Sequence, residues 1–158
     1  MDDDKTGISC TTLQLRHRFE ASPERVFHAW TRPETLRRWW CPEGWLPTRI
    51  EVDLRIGGFY RMAMCRESGA ECIAVHGRFL VIQPAVRLVY TWNWVGMLPE
   101  MPETQVTVEF YAIPNGTEIF LRQEDLLIPL CTQHLSGWLA AFSRIAKTFE
   151  HQFVEQRD

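Results

Sequence analysis

No apolar run in this 158-residue chain approaches the roughly 20 residues that a membrane-spanning helix needs, and no signal peptide opens it. Basic clusters are missing too. Arg37-Arg38 is the one adjacent basic pair, read as the solvated face of a helix, and the formal net charge is -3, so nucleic acid is not an expected partner. The five cysteines (Cys10, Cys41, Cys65, Cys72, Cys131) are odd in number, scattered and without a CxxC pair. That pattern favours free thiols in a reducing cytoplasm over a disulfide framework or a zinc cluster. There is no GxSxG, no HExxH, no glycine-rich phosphate loop and no acidic cluster at metal-ligand spacing. No catalytic group, metal or cofactor is therefore called for. Repeats, low-complexity tracts and linkers are absent as well. The expectation is a soluble, cytoplasmic protein with a charged tail at residues 1–9 and a single domain at 10–158.

What is present is apolar and aromatic. Hydrophobic residues make up 46% and aromatics 12%, the composition of a folded domain with a sizeable core. Seven Trp are more than a dry core of this size needs, so several are expected to line something else. From about Thr132 to Gln156, Leu135, Trp138, Leu139, Phe142, Ile145, Ala146, Phe149 and Phe153 recur at helical spacing, which predicts a long amphipathic helix.

Ahead of that helix the period is mostly two. Cys10 to Glu20 alternates as a half-buried strand, and Ser22-Pro23-Glu24 then starts a short helix with an N-cap, a first-turn proline and an acid at the positive dipole end. Pro33 starts a second short helix that Cys41-Pro42-Glu43-Gly44 ends. Six more strands follow from about Pro47, separated by Gly57-Gly58, Ser68-Gly69, Pro84, an oily loop at 96–102 and Asn115-Gly116, with Leu126 to Leu130 as a second oily connection. Strands paired by successive hairpins, with the helices segregated from them, indicate an α+β domain with an antiparallel sheet.

Several segments in this order match a known family. They are the Asp53-Leu54-Arg55-Ile56-Gly57-Gly58 turn, Pro84 with Arg87-Leu88-Val89-Tyr90-Thr91-Trp92, the Asn115-Gly116-Thr117 hairpin, and His134-Leu135-Ser136-Gly137-Trp138 at the start of the last helix. From about Leu13 to Phe153 the chain resembles the START-like (SRPBCC, Bet v 1-like) superfamily, in particular bacterial homologues of the heat-shock-protein-90 ATPase activator C-terminal domain. The resemblance implies a helix-grip fold: a seven-stranded curved antiparallel sheet wrapped around the long C-terminal helix, with a lipophilic cavity between them. It implies a ligand class only loosely, since relatives bind lipids, hormones and polyketides and some are cyclases or hydroxylases.

Strand parity nominates the cavity wall without reference to any relative. Tyr60, Met62 and Met64, then Tyr90, Trp92 and Trp94, then Val106, Val108 and Phe110 share the face across from the helix, joined by Val75, Phe79 and Val81. Each alone reads equally as ordinary core. Together, bulky aromatics and adaptable Met suit a flat or flexible apolar ligand. Trp138, Phe142 and Ile145 would form the helix side. Trp30 and Trp40 share a face with Phe27 and Leu36 and read as packing, whereas Trp39 and Trp45 are candidates for a mouth or lid. Met97, Leu98 and Met101 would form a flap, or else plain loop packing or a homodimer contact. Gln123 is polar at an inward position, where relatives often carry a residue such as His; it would orient a ligand, with Tyr90 or His134, or bond to the last helix. Cys131 and His134 sit at that helix's N-terminus, where a dipole-favoured thiolate and a helix-anchoring imidazole are the respective options.

The expected function is binding of a small lipophilic or aromatic ligand in the cavity between sheet and terminal helix. The alternatives are a polyketide cyclase- or hydrolase-like enzyme using the same cavity, and a chaperone-interacting module. Neither nucleic acid nor membrane insertion belongs to any of these readings.

Overall fold

A computed structural model of the chain describes residues 9–96 and 101–157, with side chains up to 150. Most of the tail, Met97, Leu98, and the side chains of His151 and Phe153 lie outside the described residues. Seven strands form one sheet: β1 (Cys10–Phe19), β2 (Trp45–Val52), β3 (Phe59–Arg66), β4 (Cys72–Gln83), β5 (Arg87–Val95), β6 (Thr104–Ile113) and β7 (Gly116–Leu127). Their order is β1-β7-β6-β5-β4-β3-β2, antiparallel throughout, so β2 to β7 make a meander and β1 closes on its last strand. Helices α1 (Pro23–Thr31) and α2 (Pro33–Trp39) fill the connection from β1 to β2, and α3 (Cys131–Arg157) follows a 3₁₀ turn at Ile128–Leu130. The α+β architecture matches the sequence expectation. Among the described residues, no helix is long and apolar enough to cross a membrane.

Local chemistry explains the short helices. The Ser22 hydroxyl accepts from the Arg25 amide at 3.3 Å and Pro23 occupies the first helical turn. No side chain caps α2. It is fastened instead to α1, by Thr35 donating to the His28 carbonyl at 2.8 Å and by the Trp39 indole donating to the Ala29 carbonyl at 2.8 Å. Arg37 and Arg38 lie on the exposed side, as a solvated pair should.

Three strand details differ from simple alternation. A bulge between Phe79 and Val81 shifts the β4–β5 register, so Ile82, not Val81, packs against the core beyond it. Leu126 belongs to β7 rather than to a loop: it pairs with Thr11 and is buried. Cys65 and Cys72 are not free thiols. They face each other across the β3–β4 hairpin and are joined as a disulfide, leaving Cys10, Cys41 and Cys131 free. A scattered count carries no information about hairpin register, so two of the five thiols that pointed to a reducing compartment are removed.

On α3 the core face is Trp138, Ala141, Phe142, Ile145 and Phe149, of which Phe142 and Ile145 are fully buried. Leu139, assigned to that face by its spacing, turns off it and is 49% exposed. The Phe142 ring meets His17 and Phe19 of β1 at centroid distances of 5.1 and 6.2 Å. Regular pairing of β4 with β5 is interrupted between His76–Asn93 and Phe79–Tyr90. There the Arg78 amide bonds to the Thr91 hydroxyl at 2.9 Å, and a Cβ on Gly77 would stand 2.0 Å from the Thr91 carbonyl oxygen. The nearest atoms all belong to Thr91 and two of them are backbone, so the methyl fits only if backbone shifts. Gly77→Ala is accordingly expected to lower stability by about 2–3 kcal/mol, measured as a lower denaturant midpoint with an unchanged slope; an unaltered midpoint would refute the close approach.

Candidate functional site

Between α3 and the sheet, very little space remains. An inner cavity of about 30 Å³ is lined by Trp30, Tyr60, Met62, Phe79, Tyr90 and their neighbours. A larger cleft of about 260 Å³ lies along the flank of α3. Its helix side is Gln133, His134, Gly137, Trp138, Ala140, Ala141 and Arg144. Its opposite side is Trp39, Trp40 and Pro42 from α2 and the turn after it, Met64 of β3, Trp92 and Trp94 of β5, and Met101. Trp39, Trp40, Trp92 and Trp138 line both spaces and so stand between them. A small recess beyond Trp94 and Met101 runs toward Thr104 and Leu126.

The nominated residues therefore fall into four groups. Tyr60, Met62, Phe79 and Tyr90 border the inner cavity; Met64 and Trp94 border the cleft; Trp39, Trp92 and Trp138 border both. Val108, Phe110, Gln123 and Phe142 border neither space and are core. Phe110 packs edge-on against Phe27 and Trp30, and Phe142 and Ile145 close the space under the helix in which a wall was expected. Trp45 also borders neither, and the Arg66 guanidinium covers its ring at 4.4 Å. Trp40, expected only to pack, borders both spaces. Gly137 enters the sequence reading only within the His134–Trp138 motif, and Ala140, Ala141 and Arg144 are not nominated, because small residues on one side of an amphipathic helix look like a solvated face. The i, i+4, i+7 spacing of Gln133, Gly137 and Ala140, continued to Arg144, was the available signal.

Buried hydrogen bonds hold the aromatic wall in place. Gln123, fully buried, accepts from the Trp138 indole at 2.9 Å and donates to the Thr104 hydroxyl at 2.8 Å. It bonds to the last helix and borders no cavity, so its influence on the cleft runs through Trp138. Trp30 donates to the Tyr90 hydroxyl at 3.2 Å and stacks on Trp138 with centroids 6.2 Å apart. Tyr60 donates to the Thr91 carbonyl. Burial pushes both tyrosines above their ordinary value, so each is a neutral phenol at physiological pH. Trp92 is the exception, since its indole N–H is buried without a protein partner.

His134 has both nitrogens committed. Its Nδ1 lies 3.0 Å from the Leu130 carbonyl, which can only accept, so Nδ1 carries the proton and Nε2 accepts from the Trp94 indole at 3.2 Å. This anchors the start of α3 and one end of the cleft together. Cys131 is a half-buried free thiol at that helix start, packed against the core. At the cleft's other end the Arg144 Nε donates to the Trp39 carbonyl at 2.6 Å. Neighbouring Cys41 is pushed up to about 11, chiefly by burial, with Arg144 pulling the other way. Among the described residues, no three His, Cys, Asp or Glu side chains gather as metal ligands.

A curved antiparallel sheet closed on a terminal helix, with an apolar cleft beside that helix, defines a helix-grip domain. The chain belongs to the family described as Activator of Hsp90 ATPase homolog 1-like protein, whose model matches residues 20–150. A solved protein of Chromobacterium violaceum is 26% identical with a TM-score of 0.78, over 86% of this chain and 95% of that one. A protein of Rhizobium leguminosarum shares the fold at 24% identity and a TM-score of 0.81, covering 91% of this chain and 97% of its own. An AHSA1-like protein of Aeromonas hydrophila does so at 23% identity and 0.75, covering 90% and 94%. None of the curated proteins matches the chain.

Burial lowers His134 below its ordinary value of 6.5, partly offset by the Leu130 bond, and burial lowers His17 as well. A depressed histidine binds its proton more readily in the unfolded chain. Its contribution to stability is therefore complete above about 6.5 and is lost as pH falls toward the folded value. The His134 ring is expected to titrate below 6.5, with the Trp94 indole N–H resonance moving in step as Nε2 gains a proton. Titration at or above 6.5 would contradict the pairing.

Proposed function

We propose that this domain binds a small lipophilic or aromatic ligand in the cleft along α3. The observation that carries this reading is the cleft itself: about 260 Å³ of preformed space, near the lower end of small-molecule pockets, walled by aromatic and methionine side chains with a few polar groups at its ends. Shape and the removal of apolar surface from water would supply most of the affinity, at roughly 25 cal/mol per Å². Met64 and Met101 would let the wall adjust to ligands of different outline. The partner is thus a small molecule, held without cofactor.

Binding without turnover is favoured over a cyclase- or hydrolase-like reaction by the state of the titratable groups. The His134 nitrogens are both occupied, the tyrosines are held protonated, and the Cys41 thiol is far from ionising at neutral pH. No poised base or nucleophile faces the cleft from these positions. The chaperone-interacting reading draws on the family description alone.

Five of the seven Trp border the cleft, so intrinsic fluorescence reports its occupation directly. Gly137 supplies the control. It is helical, and nothing lies within 4 Å of a Cβ built on it, so a side chain there enters the cleft without a backbone clash. Removing glycine from a helix interior also stabilises it by up to about 1 kcal/mol. Gly137→Leu is expected to abolish quenching by a hydrophobic probe such as 1-naphthol while leaving the melting temperature equal or higher. Undiminished quenching in a folded Gly137→Leu protein would show that the probe binds elsewhere.

A further inference from the structure

Resting on the cleft reading above, we infer that the ligand is a monocarboxylate with an aromatic or medium-chain apolar body, its carboxylate paired to Arg144. Among the described residues of the cleft wall, Arg144 is the only formally charged side chain, since His134 is neutral in its present hydrogen bonds. Its Nε is committed to the Trp39 carbonyl at 2.6 Å, which aims the group and fixes its plane. The two terminal nitrogens have no hydrogen-bond or ion-pair partner among the described residues; none of the ion pairs involves Arg144. Exposed arginines elsewhere do find carboxylates, as Arg18 does with Glu118 and Arg55 with Asp53. A half-buried guanidinium facing an apolar cleft has lost part of its hydration, and no described residue gives it a counter-charge. Burial accordingly draws it below its ordinary value.

The chemistry of the missing partner follows from what remains on the guanidinium. With Nε occupied, the terminal edge offers two parallel N–H donors, the geometry that a planar carboxylate accepts bidentately. One positive charge balances one negative charge. A phosphate monoester dianion would be left with an uncompensated charge, because no second cation lines the cleft among the described residues. From Arg144 the helix side then runs back through Ala141, Ala140 and Gly137 to His134, a span of roughly 15 Å at 1.5 Å per residue. That stretch presents no donor or acceptor side chain of its own, and the facing wall is indole and thioether. The carboxylate end is therefore fixed and the body is selected by fit.

Matched probes test this: 2-naphthylacetate, 2-naphthylethanol, and 2-naphthylethyl phosphate, titrated by tryptophan quenching and calorimetry against the intact chain. The wild-type protein is expected to bind the carboxylate at least about tenfold more tightly than the alcohol, the size expected for a charge-assisted pair, and more tightly than the phosphate. Arg144→Met keeps the length and apolar stem, and is expected to bring carboxylate and alcohol to equal affinity while the alcohol's own affinity changes less than threefold. Arg144→Lys keeps the charge but not the fork, and is expected to restore part of the preference. Equal binding of carboxylate and alcohol by the wild type would overturn the monocarboxylate assignment and leave the cleft reading standing. So would a carboxylate preference that survives in Arg144→Met, or tighter binding of the phosphate. Failure of all three probes to bind a folded wild-type protein would overturn both readings together.

Discussion

The indole of Trp138 is the contact through which the helix and the sheet hold one another. It stacks near Trp30, meets Trp92 at 5.7 Å and Phe142 at 6.2 Å, and donates its N–H to the buried amide of Gln123 on β7. Helices α1 and α3 and strands β5 and β7 thus converge on one side chain. A large aromatic of this kind contributes both apolar burial and an orienting hydrogen bond, and the bond is strong because water is excluded around it. Gln123 would be an expensive residue to bury alone. Bonded at both ends, to Trp138 and Thr104, it specifies the rotation of α3 about its own axis.

That rotation determines where open space occurs. With Trp138, Phe142, Ile145 and Phe149 turned into the sheet, the interior between the two layers is almost filled. Gly137 and Ala140 beside that face, with Ala141 at its edge, carry little or no side chain, and the cleft lies along them. The same rotation carries Arg144 to the end of the cleft beside Trp39 and Cys41. A charged group and a run of missing side chains therefore share one helix flank for one geometric reason. The four indoles of Trp39, Trp40, Trp92 and Trp138 then stand between the cleft and the small inner cavity, so that the filled interior and the open flank meet at an aromatic partition.

The ends of the cleft differ in kind. At one end the Trp94–His134–Leu130 chain of hydrogen bonds joins β5 to the start of α3 and uses every polar atom it brings. At the other, Arg144 is bonded through one nitrogen only. The polar groups of the first end are spent on holding the fold, whereas the terminal guanidinium nitrogens at the second have no partner among the described residues. Trp92 also lines the wall, and its buried indole N–H has no protein partner.

Much of the fold was legible in the sequence, because period-two alternation, Asn115-Gly116, Ser22-Pro23 and the helical spacing after Thr132 are local signals with local causes. Parity alone correctly faced Tyr60, Met62, Tyr90 and Trp92 toward the helix. It failed at Val81, where a bulge resets the alternation, and at Leu139, where helical spacing left two neighbouring positions indistinguishable. The Cys65–Cys72 pair was invisible because strand register is a relation between segments. The cleft lies along the flank of α3, beside the Phe142 and Ile145 face that helical spacing marks, for a similar reason: apolar residues mark where a helix packs, and a cavity forms where they stop. The sequence by itself determined the elements, their order and the aromatic content of the wall, since these depend on neighbours along the chain. Only the tertiary structure decided which residues of α3 face empty space and that Arg144 joins them, since both depend on how far one packed surface reaches across to another.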